Sequence, residues 1–356
     1  MIKAAIIGCG KIADQHVSAI REIKGCEIVA VCDKEELMAK QLADRFKVKR
    51  YFSDLKMLLE ATQPDVVHVT TPPQSHYQLG TLLLSAGCHA YIEKPFTTNA
   101  AETEELIRLA VEKNLKITVG HDAQFMYPAL EMRKLVHEGY LGGPPVHMES
   151  YFCYDLSDPI YAKALLSDKS HWIRNLPGKL LHNLISHGIS KIVEFLRSKE
   201  PIVIAHGFTS PLLRSIGETD TIDELRLIID DKNGTTAFFV FSAHMRPQLH
   251  EFRIYGQKNS LIMNYSHQTL IKIRGAKYKS YLDQFLPQID LAKQYLANTT
   301  MNIGRFARNR FHMNHGMRFL IASFYKSIRE NSPPPIPYRE IILTSKIMDA
   351  IFSQLP

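Results

Sequence analysis

Two short stretches of this 356-residue chain carry residue types that could do chemistry. The first is Gly8-Cys9-Gly10-Lys11-Ile12-Ala13, a GxGxxA string between an apolar run and a segment with helical spacing. Glycines there let the backbone turn tightly and approach a pyrophosphate, which the amides and dipole of the following helix stabilise. Asp33 ends the second apolar run, close to the ~20-residue offset at which a carboxylate accepts from ribose hydroxyls and repels a 2′-phosphate. That preference is for NAD over NADP; Lys34 beside it weakens the preference and leaves NADP open. The second stretch, Tyr91 to Phe96 (YIEKPF), sets a carboxylate, an amine and a proline side by side where a buried strand should hand over to a loop. A partly desolvated amine beside a cationic ring has its charged form disfavoured, which moves Lys94 toward the range useful for taking a proton. Pro95 fixes the backbone after it, a cis bond being one way. Glu93 either orients the loop or contacts Lys94 or the cofactor ribose.

These residues need elements to position them. Over residues 1–120, extended runs (KAAIIGCG, EIVAVCD, PDVVHVTTPP, CHAYIEKPF, LKITVGH) alternate with helical ones (KIADQHVSAIREI, KEELMAKQLADRF, YQLGTLLLSAG, AAETEELIRLAVEKN). Gly87 stops the third helix, and Asn99 with Glu102 forms a capping box for the fourth. Such alternation builds a doubly wound parallel sheet through right-handed crossovers. VTTPPQSH closes the strand after the crossover, where strand order reverses and a cofactor crosses the sheet edge, so Thr70, Thr71 and Pro72 should line the ribose and nicotinamide path. His76 either touches the cofactor or caps its helix. Beyond Gly120 the pattern turns β-rich (PVHMESYFCYD, EPIVIAHGFTS, DELRLIIDDKNGTTAFFVFSAHM, HEFRIYGQKNSLIMNY), with a hairpin turn at Lys232-Asn233-Gly234. The expected architecture is α/β: an N-terminal Rossmann domain over 1–120, then an α+β domain over 121–356 with an open, mostly antiparallel sheet. A final helix at about 338–354 could return to the first domain. Within HWIRNLPGKLLHNLISHGISKIVEFL, Asn183 and His187 stand four apart and share a face if helical; His182 and Ser186 offer the same spacing in a rival register.

Taken together, GCGKIADQH, the TPPQSH step, Glu93-Lys94-Pro95, GYLGGP near residue 140 and the closing PPPIPYREIILTSKIMDAIF resemble the glucose-fructose oxidoreductase and inositol dehydrogenase family (Gfo/Idh/MocA) over most of the chain. The resemblance implies that Lys94 contacts both the nicotinamide ribose and a substrate hydroxyl. It also implies an Asp-x-x-x-His pair in the second domain with the histidine near the reacting carbon. Here Asn183 stands in the aspartate's place and His187 is the acid/base or orienting residue. An amide can hydrogen-bond a hydroxyl but holds no charge, so more of the proton chemistry falls to Lys94. Many relatives carry an arginine in the segment that reads GHDAQFMYP; Gln124 here removes a fork for carboxylate or phosphate. His121, Asp122 and Tyr127 either meet a polyol or pack where the domains join. The implied activity is hydride transfer between a nicotinamide and a secondary alcohol or ketone of a sugar, cyclitol or nucleotide sugar, in a homodimer or tetramer. The alternative is a non-catalytic dinucleotide-binding sensor of the same fold, which Asn183 favours and the intact Glu93-Lys94-Pro95 opposes.

Composition is that of a globular protein, with 45% hydrophobic and 22% charged residues, neither disordered nor fibrous. No apolar run reaches the ~18 residues of a membrane span, and Gly8, Gly10 and Lys11 break up the N-terminal apolar run before a signal-peptide core forms, so a cytoplasmic location is expected. Five cysteines (Cys9, Cys26, Cys32, Cys88, Cys153) without a CxxC pair read as reduced and mostly buried, with no metal site expected. The net charge of +7 sits in one segment: between Lys272 and Arg318 nine Lys or Arg face two Asp, a surplus of seven, and the rest of the chain is balanced. Three readings of that Phe- and Met-rich segment stay open: a helix capping the domain or joining a subunit interface, a clamp on an acidic substrate, or contact with an anionic membrane or nucleic acid. Its aromatics are not spaced as on an RNA-binding sheet and no helix-turn-helix accompanies it, so no nucleic-acid partner is expected.

Overall fold

A computed structural model describes residues 1–155, 171–275, 281–312 and 314–355. Two compact units emerge: Met1–Asp122 with Met317–Asp349, and Ala123–Gly316 with Ala350–Pro356. In the first, β1 (Ile2–Ile7), β2 (Cys26–Cys32), β3 (Tyr51–Phe52), β4 (Val66–Val69), β5 (His89–Ile92) and β6 (Ile117–Val119) form one parallel sheet in the order β3-β2-β1-β4-β5-β6. The four central strands are near-continuous apolar runs because helices cover both sheet faces. Their register decides where chemistry can gather. Ile7 pairs with Val69, Val69 with Ile92, and Ile92 with Val119. Gly8, Thr70, Glu93 and Gly120, each the first residue past its strand, therefore line up along one carboxyl edge, at the reversal of strand order where doubly wound sheets bind ligands.

Helices α1 (Ala13–Arg21) and α2 (Glu36–Phe46) follow the helical runs read from sequence. The short α3 (Leu55–Thr62), capped by Asp54 accepting from Met57 N at 2.9 Å, and the two-residue β3 were not anticipated; neither is long enough to show a period. Next come α4 (His76–Ser85), followed by Gly87 at φ +83°, and α5 (Ala100–Glu112). The capping box is modified: Asn99 accepts from Glu102 N at 2.9 Å, but the Glu102 carboxylate accepts from Thr98 N, one residue earlier than the reciprocal pattern.

The contiguous boundary at residue 120 needs correction, because residues 317–349 belong to the first unit. Leu320, Ile321, Phe324 and Tyr325 of the helix His315–Arg329, and Ile341 and Ile347 of the helix Tyr338–Phe352, are all buried. Asp349 accepts from Ala100 N at 2.8 Å, which ties the last helix to the start of α5.

Among its described residues the second unit carries seven strands: β7 (His147–Asp155), β8 (Ile202–Phe208), β9 (Glu224–Asp230), β10 (Thr236–Ser242), β11 (His244–Tyr255), β12 (Asn259–Asn264) and β13 (Thr269–Arg274), in the order β13-β12-β11-β7-β10-β9-β8. Every neighbouring pair is antiparallel except β7 with β10, so the sheet is open and mostly antiparallel. In the β9–β10 turn the left-handed positions fall on Lys232 and Gly234, not on Asn233. The five cysteines are free thiols, all buried but the half-buried Cys26.

Candidate active site

In the first unit the turn after β1 is shaped by close approach. A Cβ on Gly8, whose φ is +91°, would lie 2.8 Å from the Thr70 carbonyl carbon and the Thr71 nitrogen. A Cβ on Gly10 would point into open space with nothing within 4 Å, the concavity a pyrophosphate needs. No side chain caps α1 at Ile12, so the start of that helix is open to an anion. Lys11 is exposed beside it. Asp33 accepts from Cys9 N at 2.7 Å and from Glu35 N at 3.0 Å, which aims the carboxylate across the turn; about four lone-pair sites leave it capacity for ribose hydroxyls. These residues fit a dinucleotide.

The threonine step behaves differently. The Thr70 hydroxyl is buried, bonded to the Gly8 and Ile7 carbonyls at 2.5 and 3.1 Å, so this side chain fastens β4 to the glycine turn instead of facing a ribose. Thr71 Oγ1 lies 2.7 Å from Ser75 Oγ, and Pro72 leads the chain into the turn before α4. His76 is fully buried, with Nε2 2.8 Å from the Thr71 carbonyl and Nδ1 2.9 Å from the Pro95 carbonyl. It braces the TTPP loop against the EKPF loop and neither caps α4 nor presents a surface to a cofactor.

Beneath Lys94 lies a chain of buried polar groups that sequence reasoning left without a role. Glu93 Oε1 is 3.0 Å from His16 Nε2, His16 Nδ1 is 2.8 Å from His68 Nδ1, and His68 Nε2 is 3.1 Å from the Tyr325 hydroxyl. An ionised Glu93 accepts only, so His16 donates through Nε2, His68 donates to His16, and Tyr325 donates to His68; every donor points toward Glu93. Burial, with His16 next to it, holds His68 neutral, well below the usual histidine range. Burial pushes the Glu93 carboxyl up, but the hydrogen bond from His16 and the nearby Lys94 outweigh it, and the net shift is downward. Glu93 Oε2 also accepts from Lys94 N at 3.1 Å, and a Cβ on Gly120 would stand 2.7 Å from Glu93 Oε1, so the residue after β6 must be glycine to let the carboxylate in. The signal available was the position of His16 in GCGKIADQH and of His68 in an otherwise apolar strand.

Lys94 is half-buried and followed by a cis bond to Pro95. Burial lowers its pKa, while the Glu93 and Asp122 carboxylates pull back toward the charged form. His121 is pushed down to about 4 by burial, with Glu93 raising and Lys94 lowering it, so it is neutral at pH 7. The β5–β6 pairing thus brings Lys94, Glu93, His121 and Asp122 into one electrostatic cluster.

In the second unit, Asn183 sits on the helix Lys179–Leu184 and His187 on the helix Ser186–Val193, joined by Ile185 in helical conformation. Both residues are half-buried, whereas His182 and Ser186 of the rival register are buried and His182 stacks on Phe352 at 5.0 Å. Gly188 lets this helix settle on the sheet: a Cβ there would run into the Phe239 ring, and Ser150 Oγ donates to the Gly188 carbonyl at 3.0 Å. His187 consequently lies against Phe152, ring centroids 5.2 Å apart. Gln124 is buried and donates to the Ser190 carbonyl at 3.2 Å, while Arg133 pairs with Glu194 beside it, so this position is packing. Tyr127 packs as well, its hydroxyl donating to the Arg310 carbonyl at 3.2 Å with the Arg305 guanidinium 4.1 Å over its ring. Lys191, unremarked in the sequence, is buried with its amine 3.5 Å over the Tyr265 ring. Among the described residues no group of three or more His, Cys, Asp or Glu could hold a metal ion.

Residues 2–121 match the family model described as "Oxidoreductase family, NAD-binding Rossmann fold" (GFO_IDH_MocA). Over that stretch the chain is similar to the NAD-binding Rossmann domain of the Gfo/Idh/MocA oxidoreductases. It is 32% identical over 142 residues to D-glucoside 3-dehydrogenase of Escherichia coli, covering 40% of each chain. It is 25% identical over 279 residues to UDP-N-acetylglucosamine 3-dehydrogenase of Acidithiobacillus ferrooxidans, covering 77% of this chain and 78% of that one. The matched stretch thus spans only about 40% of the length of the first of these relatives. The fold is also that of an Agrobacterium radiobacter oxidoreductase crystallised with NAD+, L-tartaric acid and magnesium, at a TM-score of 0.76, 15% identity, 99% of this chain and 96% of that one.

Proposed function

We propose that this chain is an NAD(P)-dependent dehydrogenase or reductase acting on a secondary alcohol or ketone of a sugar, cyclitol or nucleotide sugar, with Lys94 as the proton-transferring group. The observation that carries the proposal is the state of Lys94: an amine at the ligand-binding edge of the sheet, its pKa lowered by burial, beside a carboxylate that a buried histidine keeps ionised. A bound nicotinamide supplies a two-electron hydride acceptor or donor. Gly8, Gly10, Lys11 and Ile12 would hold its pyrophosphate, Asp33 its adenosine ribose with a preference for NAD, and Thr71, Pro72 and Glu93 the nicotinamide side. Unprotonated Lys94 takes the proton of the substrate hydroxyl, and the ammonium returns it in the opposite direction. His187 orients the reacting group and Asn183 hydrogen-bonds a neighbouring hydroxyl. The relatives named for glucosides and for a UDP-sugar support the substrate class. For a homo-oligomer, support comes from the cross-strand row Ile204, Ile228 and Phe238, which leaves three large apolar side chains exposed on one sheet face.

The test is a sugar and nucleotide-sugar screen on the purified chain with NAD and NADP. Lys94→Ala should cut turnover on any accepted substrate by ~10²-fold or more with cofactor binding retained. In the oxidation direction kcat/KM should rise with pH through a pKa below the ordinary lysine value of 10.5, because the amine must be deprotonated to accept. Turnover undiminished in Lys94→Ala would sink the mechanism; tight cofactor binding with no turnover on any sugar would favour the sensor.

A further inference from the structure

The helix Leu282–Ala307 is inside out. Its polar side faces the protein: Gln294 and Asn298 use their side-chain amides as a strand would, each accepting from and donating to the backbone of edge strand β13, at Lys272 (2.8 and 3.0 Å) and at Leu270 (3.1 and 3.1 Å). Asn302, four residues on, donates to the His267 carbonyl at 3.0 Å. Its apolar side faces outward, with Leu282 56%, Phe285 62%, Ile289 51%, Leu296 69%, Ile303 62% and Phe306 74% exposed. At about 100° per residue these side chains, with Tyr281 and Tyr295, fall within an arc of about 140°, whereas a solvated helix shows the reverse arrangement. A continuous apolar face of this kind needs a cover.

Charge selects the cover. The net +7 of the protein equals the surplus of its 272–318 segment, and Arg274, Lys293, Arg308 and Arg310 are exposed along or just beyond this helix; Lys277 and Lys279 lie outside the described residues. A second copy of the chain would bring an equal positive surplus to the same place, and like charges repel. An anionic surface is attracted by it and also accepts the apolar side chains. No helix among the described residues is long and apolar enough to cross a membrane, so the helix would lie in the interface. We infer that the helix Leu282–Ala307 is a peripheral membrane-docking element that seats its Phe, Leu and Ile face in the headgroup region of an anionic phospholipid bilayer. The inference stands independently of the dehydrogenase reading.

The test is co-sedimentation of the full chain with vesicles of phosphatidylcholine alone and of phosphatidylcholine with phosphatidylglycerol. The wild type should bind the anionic vesicles and lose affinity as salt is raised. Lys293→Glu/Arg308→Glu/Arg310→Glu should weaken binding by about a hundredfold or more, and Leu296→Glu/Ile303→Glu should abolish it. All five side chains are exposed, so the variants should keep the wild-type circular dichroism. Failure of the wild type to bind anionic vesicles, or binding unchanged in Leu296→Glu/Ile303→Glu, overturns the inference. So does a self-associating wild type that Leu296→Glu/Ile303→Glu converts to monomers without any vesicle binding.

Discussion

Glu93 in the first unit and Asn298 in the second are both buried polar side chains, yet their neighbourhoods do opposite work. Around Glu93, three further buried polar groups are aligned so that a single charge sits at the ligand edge of a parallel sheet. Around Asn298, neutral amides finish the hydrogen bonding of an exposed sheet edge, and the apolar half of the helix is left outside. A buried charge must be paired in depth because its desolvation is expensive, whereas a buried amide needs only a matching backbone pair. The first arrangement prepares reactivity; the second blocks an edge that could otherwise pair with another chain.

The comparison breaks hardest at His16. His16→Phe would leave Glu93 Oε1 without its His16 donor and should cost about 3 kcal/mol or more in urea unfolding, while His16→Gln, which keeps an N–H donor, should recover most of it; equal stabilities would mean the pair carries no weight. Acid should separate the regions next. His121 in the first unit and His250 in the second are each pushed down to about 4, mainly by burial. A histidine depressed from 6.5 binds its proton more readily unfolded, so its share of stability is complete above pH 6.5 and is lost as pH falls toward 4. Unfolding free energies measured from pH 7 to 4 should fall over that window, and less steeply in His121→Phe. The smallest effects sharpen the second arrangement. Asn298→Leu should cost about 1–3 kcal/mol by orphaning the Leu270 backbone groups, and Leu296→Glu, two residues away but outward, should stay within ~0.5 kcal/mol. Comparable losses in both would show that the helix is not oriented as described.

The Rossmann half was legible because its signals are local. Gly8, Gly10, Asp33 and the Glu93-Lys94-Pro95 step each follow an apolar strand, and in a parallel sheet the residue after a strand is where function gathers. Thr70 was assigned to the cofactor, and His76 to the cofactor or a helix cap, because they flank that edge; which way a side chain turns depends on loops 20 to 60 residues away, and both hold backbone carbonyls. The choice between Asn183/His187 and His182/Ser186 was undecided at the level of spacing, since a four-residue interval marks a face without saying whether it is buried. The excess charge of 272–318 was plain, but not that the helix within it turns its amides inward.

Taken alone, the order of residues determined the parallel Rossmann sheet, the glycine turn, the placement of Lys94 at a strand end and the location of the positive surplus, because periodicity and turn chemistry act over a few neighbours. Only the tertiary structure decided that Glu93 leans on His16, His68 and Tyr325, that 317–349 returns to the first unit, and that the amide side of the helix Leu282–Ala307 packs on β13. Those outcomes depend on which distant groups share a low-dielectric interior, where each buried donor must find its acceptor.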